Sequence, residues 1–175
     1  MKNIILKSIL TKKLKKNEII AICKLKNTYW KYGIKSQLNW FNKNVKANDI
    51  HSLVFLKEIL VGYVLLRKRK YLLMKTKKNY LYFDSLIILK KYRKLMIGKK
   101  LLNFVIKIIK NSKLHSLLIC KKELITFYDK HNWKKVINKN SKIIDHKYQK
   151  NMLMMYFNQT AAITKNKIQY SVKNY

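Results

Sequence analysis

A mixed α/β domain, with a central sheet of about seven strands and about four helices on its faces, is the fold class predicted by three observations. Segments of strand and helix periodicity succeed one another as strand, two helices, three strands, helix, strand, helix and two strands. The stretch Leu86–Leu102, LIILKKYRKLMIGKKLL, passes from an unbroken apolar strand run through a short basic turn straight into a helix-period segment. Finally, 175 residues at 49% hydrophobic content supply one substantial core and are too few to expect two.

Taken in order, residues 3–9 form a loosely alternating strand before a charged turn. Ile19, Ile20, Cys23, Leu25 and the run to Trp30 recur at helical spacing, with Asn17 as the expected N-cap. Gly33 breaks that helix, and Ser36 is placed to cap a second one through Leu38, Trp40, Phe41 and Val45. The aromatic residues of these two helices suit either a packed hairpin core or a wall for a substrate ring. Strands are expected over 49–57 and 60–70, separated by Lys57-Glu58-Ile59 as a hairpin turn, then a Lys-rich connection over 71–79 and a strand over 80–89. A helix from Gly98 to about Asn111 presents Leu101, Leu102, Val105, Ile108 and Ile109 on one stripe. A strand over 114–120, a short helix over 124–131 and strands over 133–137 and 152–157 follow, with 138–151 as a polar loop. The domain is therefore expected to span 1–157, and 158–175 to be a loosely attached polar tail.

The charge is lopsided, with 41 Lys+Arg against 7 Asp+Glu and a formal net charge of +34. Arg occurs only at Arg67, Arg69 and Arg93, Gly numbers 3 and Pro 0. An AT-rich coding sequence would push each of these counts the same way, so the Lys excess is not by itself a sign of nucleic-acid recognition. The field still attracts polyanions in a salt-dependent way. Scarce Arg and no nucleic-acid motif weigh against base-specific reading. Cys23 and Cys120 lie far apart, without a further Cys or His at metal-ligand spacing; they are expected to be reduced core thiols, with no metal site. The first ten residues are followed by TKKLKK rather than by an apolar core and cleavage site, and no run reaches the roughly 18 apolar residues of a span. A cytoplasmic protein without a membrane span, monomeric or homodimeric, is expected.

Two motifs carry chemistry. Leu86-x-Ile88-x-x-x-Tyr92-Arg93, followed by Gly98, resembles the strand and pyrophosphate loop of the GNAT superfamily of acyl-CoA N-acyltransferases. Phe127-Tyr128-Asp129-Lys130-His131-Asn132-Trp133-Lys134-Lys135-Val136 is similar to that family's late F-Y-E-K-x-G-F-x-x-V segment. The loop departs from the family at Met96, where Gly is usual, and at Lys90, where Pro is; Asn132 also replaces a Gly. The resemblance implies an acetyl-CoA-dependent N-acetyltransferase in which a primary amine attacks the thioester directly, with acetyl-CoA as co-substrate.

By that resemblance, the cofactor lies along Leu86, Ile87, Ile88 and Leu89, an amide near Ile88 or Leu89 polarising the thioester carbonyl. Its pyrophosphate falls on Arg93, Lys94, Leu95, Met96, Ile97 and Gly98, where a helix N-terminus offers free amides. Tyr128 is the expected acid for the leaving thiolate, since a phenol is protonated at neutral pH. Asp84 is a candidate base on strand-parity grounds, beside Tyr82, His51 or a water chain. Trp30, Trp40 and His51 are candidate acceptor contacts, and the region from Asp49 to Arg67 resembles that of aminoglycoside 2′-N-acetyltransferases. The acceptor expected is a small-molecule amine, an amino sugar being one candidate. The alternatives are a protein or peptide amine, and a non-enzymatic RNA or polyanion binder.

Overall fold

Seven residues, Ile4–Leu10, form strand β1, which pairs antiparallel with β2, Ile50–Leu56, from Ile4↔Leu56 to Leu10↔Ile50. The computed structural model describes residues 3–136, 141–145, 152–157, 168–171 and 173. Between β1 and β2 stand two helices, α1 (Lys16–Asn27) and α2 (Ile34–Asn44). α1 starts a residue earlier than its expected cap: the Glu18 carboxylate accepts the Lys15 N–H, placing Asn17 inside the first turn. α2 likewise begins directly after Gly33, whose φ of +83° is glycine territory, so Ser36 lies within the helix rather than at its cap.

β2 turns into β3 (Ile59–Leu73) through Lys57 and Glu58, and β3 turns into β4 (Thr76–Ile88) through Met74 and Lys75. Both turn pairs have positive φ, the backbone of a primed two-residue hairpin achieved without Asn-Gly. The expected connection over 71–79 is therefore mostly strand. Tyr71, Leu73, Tyr80 and Tyr82 alternate inward while lysines occupy exposed positions, and the high lysine content obscures that alternation in the sequence. Helix α3 (Ile97–Asn111) leads to β5 (Ser116–Lys121), and α4 (Ile125–Asp129) precedes β6 (Lys134–Lys135). β7 (Ser141–Ile143), β8 (Met152–Phe157) and β9 (Ile168–Tyr170) follow.

Hydrogen-bonded neighbours run β1-β2-β3-β4-β5-β8-β6, and β9 pairs with β3 and β7, giving nine strands among the described residues. The β4–β5 pair is parallel and crossed over by α3, whereas β1–β2, β2–β3, β5–β8 and β6–β8 are antiparallel. The mixed α/β sheet architecture expected from the sequence is thus present. Two segments differ: β7 lies inside the expected loop over 138–151, and the expected tail supplies β9, whose Ile168 and Tyr170 are fully buried. Each is only three residues long, too short for periodicity to register. The remaining residues of 137–140 and 158–167 lie outside the described ones.

Two compact units interleave along the chain. The first takes 1–67 with 84–106, and the second 68–83 with 107–175. The first unit's core gathers Ile22, Leu25, Leu53, Tyr63, Leu65 and Ile87, with Trp30 and Trp40 packed against it. The second unit's core is rich in tyrosine: Tyr71, Tyr80, Tyr82 and Tyr170 join Leu117 and Ile168. No helix among the described residues is long and apolar enough to cross a membrane, which says nothing of strand-built spans.

Candidate active site

In the first unit, β4 delivers its last residues, Asp84–Ile88, to a basic turn and the start of α3. Pairing of β4 with β5 covers Leu81 to Phe83 and is recorded no further among the described residues. At Ser85 the backbone takes φ +63°, a conformation costly for a non-glycine residue and one that interrupts strand alternation. The parity argument linking Asp84 to Ile88 therefore does not carry across Ser85. The Leu89 amide donates to the Val61 carbonyl at 2.9 Å, which removes Leu89 as an oxyanion donor. Strand amides alternate sides, so Ile88 N–H points the other way and keeps that role open.

Residues 90–95 form a 3₁₀ turn that ends at Met96, left-handed at φ +58°. Its side chain is 57% exposed, so it points outward instead of crowding the turn. The first α-helical bond of α3 runs from Lys100 N–H to the Met96 carbonyl, leaving the amides of Ile97, Gly98 and Lys99 ahead of the ladder. A Cβ placed on Gly98 would meet only Ile88 Cγ1, at an ordinary 3.7 Å. Protein packing therefore does not demand glycine there, in contrast to Gly62, where a Cβ would strike Ile88 Cδ1 at 2.7 Å. Arg93 is exposed, and its Nε donates to the Ile88 carbonyl at 3.3 Å, tying the turn to the end of β4. Free amides at a 15-residue helix, an unoccupied Cβ direction at Gly98 and the cations of Arg93 and Lys94 suit a phosphate-bearing group.

The same unit holds the other candidates from the first half of the chain. The Asp84 carboxylate accepts from Arg67 Nη1 at 3.3 Å and from Ser85 Oγ at 2.6 Å. Arg67 also donates to the Asn44 carbonyl, and its guanidinium lies 5.6 Å from the Trp40 ring centroid. Trp30 and Trp40 are half-buried, and the Lys26 ammonium sits 3.4 Å from the Trp40 centroid and 5.8 Å from that of Trp30. His51 does not join them as a substrate contact. It is fully buried, with Thr11 Oγ1 at 2.8 Å from Nε2 and Tyr63 Oη at 2.9 Å from Nδ1. Burial, helped by the nearby Lys26 charge, lowers its pKa to about 4, so it is a neutral packing residue. Lys26 has a signal in the sequence, since it interrupts the apolar stripe of Ile22, Cys23 and Trp30.

The second unit holds Tyr128 and Tyr82. Tyr128 lies on α4, its ring buried 6.0 Å from both Phe83 and Trp133 in edge contacts. Its hydroxyl has no hydrogen-bond partner among the described residues. Burial raises its pKa, with the Cys120 thiol adding to the effect, so the phenol stays protonated and able to donate. The turn after α4 passes through Asn132 at φ +64°, a conformation Asn tolerates better than most residues. Tyr82 is packed into the tyrosine-rich core and is not placed as a base. Both cysteines are free and buried, and no cluster of three metal-ligating side chains occurs among the described residues.

The sequence profile of the Acetyltransferase (GNAT) family matches residues 18–133. Comparison with curated proteins gives no match. Among solved structures, Escherichia coli ElaA superposes with a TM-score of 0.67 at 12% identity, over 88% of this chain and 99% of that one. The E. coli GNAT family N-acetyltransferase YhbS, solved in complex with CoA, gives 0.70 at 9% identity over 97% and 91%. The ribosomal-protein-S18-alanine N-acetyltransferase of E. coli gives 0.60 at 9% identity over 87% and 92%. Identities this low speak for the fold.

Proposed function

We propose, on the premise that this chain belongs to the GNAT acetyltransferase family and is an acyl-CoA-dependent acyltransferase, that it transfers an acetyl group to the primary amine of a small molecule. The observation that carries the donor half is the junction of β4 and α3. There the unladdered amides of Ile97, Gly98 and Lys99, with no close contact at the Cβ position of Gly98, would hold a pyrophosphate, and Arg93 and Lys94 would supply charge. The neighbour solved with CoA supports this use of the fold.

The remaining steps fall to this chain's own groups. Ile88 N–H is assigned to the carbonyl oxygen as negative charge develops there. Tyr128, protonated by virtue of its burial, is assigned to give its proton to the departing thiolate. Asp84, through a water, is the candidate to relieve the attacking ammonium of its proton. Trp30 and Trp40 give the acceptor an aromatic face, which suits a sugar ring among other small amines.

A protein or peptide amine is the second reading, supported by the likeness to a ribosomal-protein acetyltransferase. Against it stands the net charge of +34, which repels basic peptides. The test is thermal stabilisation by acetyl-CoA followed by CoA release across a panel of amines and peptides. Stabilisation and turnover of a small amine are expected, with Tyr128→Phe lowering kcat by about a hundredfold while keeping the stabilisation. Absence of both stabilisation and turnover would falsify the reading.

A further inference from the structure

Lys26 occupies a position in α1 that an apolar residue would fill at lower cost. It is 4% exposed, and no carboxylate lies within 4.0 Å of its ammonium among the described residues. Its close partners are two indoles, the nearer centred 3.4 Å from Nζ. Desolvation lowers its pKa, and the charge of Arg67 acts in the same direction against that of Asp84. Around Trp40 the first unit thus brings together two buried cations, Lys26 and Arg67, and one carboxylate, Asp84, which is already paired with Arg67. Lys26 itself is left without an ion-paired carboxylate among the described residues. A Met or Leu would cover Trp40 without desolvating a charge, so packing alone gives no reason for a lysine.

We infer that Lys26 is the anion-binding group of an acceptor site lined by Trp30 and Trp40, and that the acceptor amine also carries a carboxylate or a phosphate. The inference rests on the small-amine reading above and narrows its substrate class. A bound anion would complete the charge balance at Lys26, and the indoles would shield the pair from water, where such contacts are strongest.

The experiment compares matched acceptors: an α-amino acid with its amide, and a hexosamine with its phosphate monoester. The wild type is expected to favour at least one anionic member by about tenfold in kcat/KM, and the pair that shows it tells carboxylate from phosphate. Lys26→Met should collapse that preference ratio, mainly through KM, and Lys26→Arg should restore much of it. Acetyl-CoA stabilisation checks folding, and Lys26→Gln stands in if the Met variant does not fold. No preference in the wild type, or a ratio that survives loss of the charge, overturns the inference. Should no acceptor turn over, calorimetry with the anionic amines and inorganic phosphate decides: binding lost in Lys26→Gln upholds the anion site while the transferase reading fails, and no binding overturns it.

Discussion

Gly98 and Met96 sit two residues apart, and each tests the donor site through a different physical property. At Gly98 a methyl group meets only an ordinary contact, so Gly98→Ala should stabilise the protein by about 0.5–1 kcal/mol through helix propensity. The same methyl should raise KM for acetyl-CoA severalfold, because it fills space assigned to the pyrophosphate. Urea midpoints and initial rates measured together separate the two effects; equal KM values would remove Gly98 from the site. At Met96 the left-handed backbone, not the outward side chain, is the strained feature. Met96→Gly should therefore gain on the order of 0.5–1 kcal/mol, the relief of strain exceeding the added backbone freedom. A lower urea midpoint would show that the Met96 side chain contributes more than its exposure implies.

Strands β2 and β5 frame a second test, since each unit buries a neutral histidine. His51 lies on β2 between Thr11 and Tyr63, and His115, just before β5, packs among Tyr71, Tyr80 and Tyr170 with Nε2 unpartnered. Desolvation pulls both pKa values from 6.5 to about 4, in His51 with the Lys26 charge assisting. A depressed histidine pKa means that the unfolded chain binds the proton more tightly. The stabilisation is therefore complete above about pH 6.5 and is lost as pH falls towards 4, by about 3 kcal/mol for each residue. Denaturant midpoints followed from pH 7 to pH 4 should fall, and His115→Phe should flatten its share of the slope. A pH-independent midpoint would contradict the burial argument. The primed turn at Met74-Lys75, inside the expected Lys-rich connection, is the element least legible beforehand, because positive φ is usually announced by Gly or Asn and here is imposed on other residues by the flanking strands.

Across the whole molecule, a net charge of +34 and a substrate with phosphate groups predict a strong ionic-strength dependence. KM for acetyl-CoA should rise severalfold between about 0.05 and 0.5 M salt, while kcat changes little; a KM insensitive to salt would assign the lysines no part in capture. The order of the longer elements and both motifs were readable without coordinates, because apolar periodicity over ten or more residues and a strand entering a helix leave local traces in Leu86–Leu102 and in residues 124–133, whereas three-residue β7 and β9 leave none. Composition likewise determined the sign and size of the molecular field. What only the tertiary structure decided was long-range: β9 joining β3, His51 turned inward between Thr11 and Tyr63, Leu89 N–H taken by Val61, and Lys26 set on Trp40 beside Arg67 and Asp84. Those pairings join residues far apart in the chain, and no local pattern encodes which buried group a polar side chain will meet.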